Sequence, residues 1–326
     1  MRTILQRGIA LLTLTIASLG AAQAQDFPTK PVKFVVPYAA GGSGDLLARL
    51  LGDKLSKLWG QQVVVDNKPG AGGLIGTEFA AHAQPDGYTI YLATDGPLTI
   101  APTLHRRPLP YDWKRDFAPV SMMAVGYQIL LSSPKLPATN LNEFITLAKK
   151  DPGKYNFASI GIGSAPHLAA ELFLSLAGLK LAHVPYRGSS QQSIGALISG
   201  DVQMFMVGTS TSVPFVKAGT LRGLAVTAPK RLDSLPDTPT FSEVGMPKMD
   251  YSLWFAVLAP GKTPPAIVKK LHDDITKAVA DPDYQKTLHA RGFEALSNTP
   301  EQLAAFLEKD YSKFKDLIER LGLKVD

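Results

Sequence analysis

The sequence contains no cysteine. A disulfide framework, a thiolate metal site, an iron–sulfur cluster and a cysteine nucleophile are therefore excluded, and so is the lipid tether that bacteria attach to a cysteine behind a signal peptide. Charge is sparse: 19% of the 326 residues are charged and the formal net charge is +6. Lys and Arg are scattered, densest at His105-Arg106-Arg107 and Lys269-Lys270, so there is no basic face for nucleic acid. The longest apolar stretch, Gly8–Gly20, has 13 residues, short of the roughly 20 that a bilayer span needs. The six histidines (82, 105, 167, 183, 272 and 289) show no H-x-x-x-H or H-x-x-E-H spacing, so a metal site is not indicated. No internal repeat or low-complexity segment stands out.

What is present begins with an export signal. Arg2 and Arg7 precede the apolar stretch, and Ala22-Gln23-Ala24 supplies a small-x-small cleavage pattern. Residues 1–24 read as a signal peptide cut after Ala24. Removing them, with two Arg and no acid, leaves 302 residues at a formal charge of +4.

Beyond it, short β-branched runs alternate with helical periodicity. Strands are predicted at Val32–Val36, Gln62–Asp66, Tyr88–Ala93, Pro119–Val125, Gln128–Ser132, Asn156–Ser159, His183–Pro185, Val202–Val207, Gly223–Thr227 and Trp254–Ala259. Helices are predicted at Asp45–Leu58, Leu74–His82, Leu141–Lys150, Ala165–Ala177, Gln191–Ser199, Ser212–Ala218, Pro265–Ala280, Pro282–Arg291 and Pro300–Leu321. In the first helix, Leu46, Leu47, Leu50, Leu51, Leu55 and Leu58 share one face. The alternation predicts an α/β protein with mostly parallel sheets. A chain of this length exceeds one core and reads as two lobes, 25–126 with 230–326 and 127–229.

Two glycine-rich loops carry the strongest functional signal. Tyr38-Ala39-Ala40-Gly41-Gly42-Ser43-Gly44-Asp45 joins a buried strand to a helix. Glycines admit a ligand close to backbone N–H groups, and the helix start adds roughly half a positive charge there. Asp45 reads equally as a helix cap or a ligand contact. In the other lobe Ser159, Gly161, Gly163, Ser164 and His167 belong to a loop with the same logic. Both loops suit a carboxylate or phosphate, one from each side of a cleft. His167 reads as a helix cap or ligand hydrogen bond in preference to a catalytic base. Arg187, two residues after a strand, reads either as a cleft partner for a carboxylate or as a surface residue. Tyr38 and Trp254 fit a cleft wall or the core.

Competing chemistries have weaker support. Gly70–Gly76 gives G-x-G-x-x-x-G rather than the G-x-G-x-x-G dinucleotide fingerprint; a tight packing turn is expected. Gly42-Ser43-Gly44 misses G-x-S-x-G. An exported serine hydrolase using Ser43 or Ser164 stays open, since one sequence cannot exclude a spatial triad. A sensor for a membrane signalling partner is a further class.

Pro31–Arg49, Val63–Ile90, Tyr111–Val120, Gly161–Phe173, Pro185–Gly188, Leu224–Pro239 and Trp254–Pro260 together resemble the Bug family, the periplasmic receptors of tripartite tricarboxylate transporters. The resemblance runs through nearly the whole mature chain in the family's order. It implies a two-lobed, type II periplasmic-binding-protein fold, with a mixed or parallel sheet flanked by helices in each lobe and a ligand cleft between them. It implies a periplasmic monomer, a small organic carboxylate as ligand bound without a metal or organic cofactor, membrane permease components as partners, and no enzyme activity. The two glycine loops match the family's ligand loops, and Thr94-Asp95 matches a third, variable cleft position. Val207-Gly208 stands where many relatives carry Asp, which favours a plain mono- or dicarboxylate, open-chain or aromatic, over an amine-bearing ligand.

Overall fold

The computed structural model describes residues 27–186 and 190–325. The signal peptide and Arg187 lie outside the described residues.

The chain begins with β1 (Val32–Val36), α1 (Ser43–Trp59), β2 (Val63–Asn67), a tight 3-10 turn (Ala71–Gly73), α2 (Leu74–Ala81) and β3 (Thr89–Ala93). Next come a π-turn (Gly96–Ile100) running into α3 (Ala101–Leu104), then α4 (Trp113–Asp116) and the long β4 (Phe117–Ser132). α5 (Leu141–Lys150), β5 (Asn156–Ser159), α6 (Ala165–Ala177), β6 (Ala182–Pro185), α7 (Ser190–Ser199), β7 (Met204–Gly208), α8 (Thr209–Lys217) and β8 (Arg222–Val226) follow. The chain returns through β9 (Ser252–Pro260), α9 (Pro265–Val279), α10 (Pro282–His289), β10 (Phe293–Glu294) and α11 (Pro300–Leu321).

The ten strands among the described residues form a mixed sheet in the order β2-β1-β3-β9-β4-β7-β5-β6, with β8 and β10 also on β4. β1 runs parallel to β2 and β3, and β5 runs parallel to β6 and β7. These two parallel groups meet through antiparallel β9 and β4. β4 is the shared element: residues 117–127 pair with β9 and residues 128–132 with β7. Two strands were predicted where β4 runs unbroken. Gly126 reads as a break, yet it pairs with Leu253, and a side chain there would meet the Phe293 ring. Glycine here admits close packing by β10.

α1 buries Leu47, Ala48, Leu51 and Leu55 against the strands, whereas Leu58, predicted on the same face, is exposed as the helix ends at the left-handed Gly60. α11 carries a Thr299–Gln302 capping box and Pro300 in its first turn. Its first half packs Leu303 and Leu307 with Trp254 and Tyr91. Its second half packs Phe314, Leu317 and Ile318 into a different core, around β5, α6 and β7. Ile100 and Leu104 join that second core from the π-turn and α3. No described helix is long and apolar enough to cross a membrane.

Candidate functional site

A cavity of about 230 Å³ opens between the two halves of the sheet. Four helices begin at its wall. α1 contributes Gly42, Ser43 and Gly44; α6 contributes Ala165 and Pro166, with its N-cap Ser164; α7 contributes Ser190 and Gln191; and Gly208 and Thr211 stand at the start of α8. The N-caps of α1, α6 and α8 make no side-chain capping bond. Each such helix start concentrates unsatisfied N–H donors and roughly half a positive charge. No Lys, Arg or His among the described residues lines the cavity. The donors this wall can offer a ligand are therefore backbone N–H groups and hydroxyls.

Sheet order explains the convergence. β5, β6 and β7 are parallel neighbours, so their carboxyl ends lie along one edge. α6, α7 and α8 start from that edge, as ligand-binding helices do in open α/β sheets. β1 delivers α1 from the other side.

The remaining wall combines an apolar and aromatic side, Ile160, Val207, Leu253, Trp254 and Phe255, with Tyr38–Ala40, Thr94 and Asp95. Trp254 serves both core and cleft. It is 2% exposed, and its indole donates to Asp310 at 2.8 Å. Tyr38 lies beside it on the wall, its hydroxyl 2.7 Å from Thr94 Oγ1. Burial, reinforced by Asp95, pushes the Tyr38 phenol well above its usual range. It remains neutral and a hydrogen-bonding group.

Across the cleft, Ser43 Oγ and Ser210 Oγ meet at 2.8 Å. The first residue of α1 thus touches the second of α8, which closes one side of the cavity.

Of the residues chosen from sequence, Tyr38, Ala39, Ala40, Gly42, Ser43, Gly44, Thr94, Asp95, Ser164 and Val207 form the cavity wall. Gly41, Asp45, Ser159, Gly161, Gly163 and His167 do not, and their geometry shows why. Asp45 turns inward, accepting from Gly41 N–H at 3.0 Å and pairing with Arg49 at 2.8 Å. Burial acts to raise its pKa, but hydrogen bonds from Arg49 and Gly41 outweigh it and hold the carboxyl below its usual value. Its role is to shape the loop. Ser159 is fully buried, accepts from Gly161 N–H at 3.0 Å and lies 2.6 Å from His183 Nε2. Gly163 N–H donates to His167 Nδ1 at 3.2 Å. The imidazoles of His167 and His183 stack at 4.2 Å. Burial depresses both pKa values, His167 to about 3, with a contribution from His183, and His183 to about 4. Both are neutral near pH 7 and brace the 159–167 loop from behind. Gly161 and Gly163 adopt positive φ, which lets that loop turn into α6.

Among the described residues the serine-hydrolase alternative finds no dyad at the cavity. Ser43 bonds Ser210, and Ser164 Oγ donates to the Gly161 carbonyl at 2.6 Å. The Ser159–His183 contact lies outside the wall.

Ser190, Gln191, Thr211, Leu253 and Phe255 were not picked out from sequence. The starts of α7 and α8 follow strands, a signal that was available. Leu253 and Phe255 lie within β9 and carried none.

A wall built from helix starts and hydroxyls defines a receptor for a small anion held between two halves of a mixed sheet. The model for the tripartite tricarboxylate transporter family receptor, TctC, matches residues 47–323, and the chain belongs to that family. It is 36% identical, over 98% of its length and 94% of the relative's, to the UPF0065 protein in the tcbD-tcbE intergenic region of Pseudomonas sp. (strain P51). The periplasmic binding protein BugD is similar in structure at a TM-score of 0.84 and 33% identity, over 91% of this chain and 99% of BugD. Rpa4515 of R. palustris, solved with adipate, is similar at 0.86 and 32%, over 91% and 99%. The fold is that of a periplasmic binding protein, and the family is one of solute receptors, not enzymes. Membership implies a periplasmic location.

Proposed function

We propose that this protein captures a small organic carboxylate in the cleft, closes around it, and delivers it to the membrane permease components of a tripartite tricarboxylate transporter. The observation that carries the reading is the convergence of four helix N-termini on one cavity whose described wall has no cationic side chain. The adipate in the similar Rpa4515 structure supports the same ligand class. The ligand is a mono- or dicarboxylate, open-chain or aromatic, held by the starts of α1 and α6, with Tyr38, Thr94 and Val207 shaping the pocket around it. The protein acts as a periplasmic monomer after cleavage behind Ala24. Residues 25–126 with 230–326 and 127–229 move as the two lobes, and α11 straps both cores together.

A thermal-shift screen of mono-, di- and tricarboxylates and aromatic acids tests the reading, because a ligand that binds only the folded state raises its melting temperature. At least one acid is expected to bind with micromolar affinity, about −8 kcal/mol. Failure of every acid, with no trapped ligand in native mass spectrometry, refutes the reading.

A further inference from the structure

Among the described residues the wall holds one acid, Asp95, two residues beyond β3 and 3% exposed. Its Oδ1 accepts from Gly96 N–H at 2.8 Å and its Oδ2 from the Tyr251 hydroxyl at 3.1 Å. A carboxylate offers about four acceptor positions; Asp95's own backbone N–H engages a third, so one remains. No Lys or Arg among the described residues pairs with Asp95. A second buried acid, Asp310 of α11, lies close by and accepts from Thr99 Oγ1 and Trp254 Nε1, both at 2.8 Å. The groups facing Asp95 are thus another carboxyl from α11, the Tyr251 phenol before β9 and the Tyr38 phenol after β1; Lys313 acts on Asp310 and not on Asp95.

A carboxylate in a desolvated wall, with no cation beside it, has a lone pair to offer and repels a second negative group. We propose that the ligand carries, besides its carboxylate, a hydrogen-bond donor that Asp95 receives — a hydroxyl, an amide or, against the expectation drawn from Val207, an ammonium — so that hydroxy- or amino-substituted acids are selected over simple diacids. This rests on the carboxylate reading above and narrows it. Burial, then Asp310, raises the Asp95 pKa to about 7. Above that value Asp95 is acceptor-only. Below it the protonated acid also donates, and the penalty on a diacid shrinks.

The test uses matched acids on the full mature protein: hexanoate, 6-hydroxyhexanoate, 6-aminohexanoate and adipate, with benzoate, 4-hydroxybenzoate, 4-aminobenzoate and terephthalate as the rigid series. Calorimetry compares them at about pH 8.5 and about pH 6, on either side of the Asp95 transition. A thermal-shift panel of other carboxylates runs in parallel. The tightest ligand is expected to carry a donor and, at the higher pH, to bind at least about tenfold better than the matching diacid. At the lower pH the gap narrows. In Asp95→Asn, checked for folding by circular dichroism, the gap disappears; the wild-type pH comparison stands alone if that variant does not fold. A tightest ligand lacking a donor, a diacid that equals its donor-bearing match at the higher pH, or an unchanged ranking in folded Asp95→Asn overturns the inference and leaves the carboxylate reading intact. If no carboxylate binds, both fail.

Discussion

Gly76 is the third residue of α2 and sits against the backbone at the root of the cleft loop. A Cβ there would lie 2.7 Å from Pro37 Cα, 2.8 Å from the Lys68 carbonyl oxygen and 3.1 Å from Pro37 Cβ. Ordinary carbon contacts need about 3.5–4.0 Å, so Gly76→Ala must move α2 or the Pro37 backbone by nearly 1 Å. Overpacking of this kind costs about 1–3 kcal/mol. The alanine returns up to about 1 kcal/mol through helix propensity. The expected net loss is roughly 1–2 kcal/mol, or about 2–4 °C in melting temperature for a chain of this size. Pro37 leads directly into Tyr38–Gly44, so affinity for the best carboxylate should fall about tenfold, through displaced α1 donors.

The matched control is Gly195→Ala in α7, where nothing lies within 4 Å of the new Cβ. There the same substitution should raise stability by up to about 1 kcal/mol and leave affinity unchanged. Urea unfolding and calorimetry read both variants. If Gly76→Ala is as stable as wild type, or both variants shift alike, the claim that α2 packs backbone-to-backbone on the cleft loop is wrong.

Two further predictions concern closure and pH. The Ser43–Ser210 contact bridges the cleft at 2.8 Å in a chain without native cysteine, so the Ser43→Cys, Ser210→Cys double variant should form a disulfide under mild oxidant and slow ligand exchange at least tenfold until reduced; thiols that stay titratable would show that the two helix starts do not meet in solution. For His183 the sign follows from its depressed pKa of about 4: the unfolded imidazole takes a proton below about 6.5 while the folded one does not, so its contribution is complete above 6.5 and is lost as pH falls toward 4. His183→Phe, which keeps a ring against Phe157 and His167, should lose less stability than wild type between pH 7.5 and about 4.5 in urea unfolding. Asp95, whose pKa is raised to about 7, works in the opposite direction over that range and is present in both proteins, so it cancels from the comparison; equal losses would place the His pair in solvent.

Most of the elements were legible because their signals are local. The leucine periodicity of α1 and the glycine loops before α1 and α6 need no knowledge of tertiary contacts. The merged strand β4 was not legible, because Gly126 resembles a break until Phe293 is seen packed on it. The site divides in the same way. Two helix starts could be read directly, but the other two converge only because β5, β6 and β7 are parallel neighbours, and strand order is not a local property. Asp45 and Ser159 lie off the cavity wall for a related reason. Sequence places a side chain beside a ligand loop, but their internal partners, Arg49 for one and His183 with Gly161 for the other, decide whether it faces the cavity. Asp95 shows the converse. Its carboxyl neighbour, Asp310, is 310 − 95 = 215 residues away, and only the fold turns an ordinary Thr-Asp pair into a buried acceptor on the cleft wall. A recognition site made of backbone donors leaves little trace in composition, so what distinguishes one family member's ligand from another's should lie in the few wall side chains that have a charge or hydroxyl to spare. Here Asp95 is the most constrained of them.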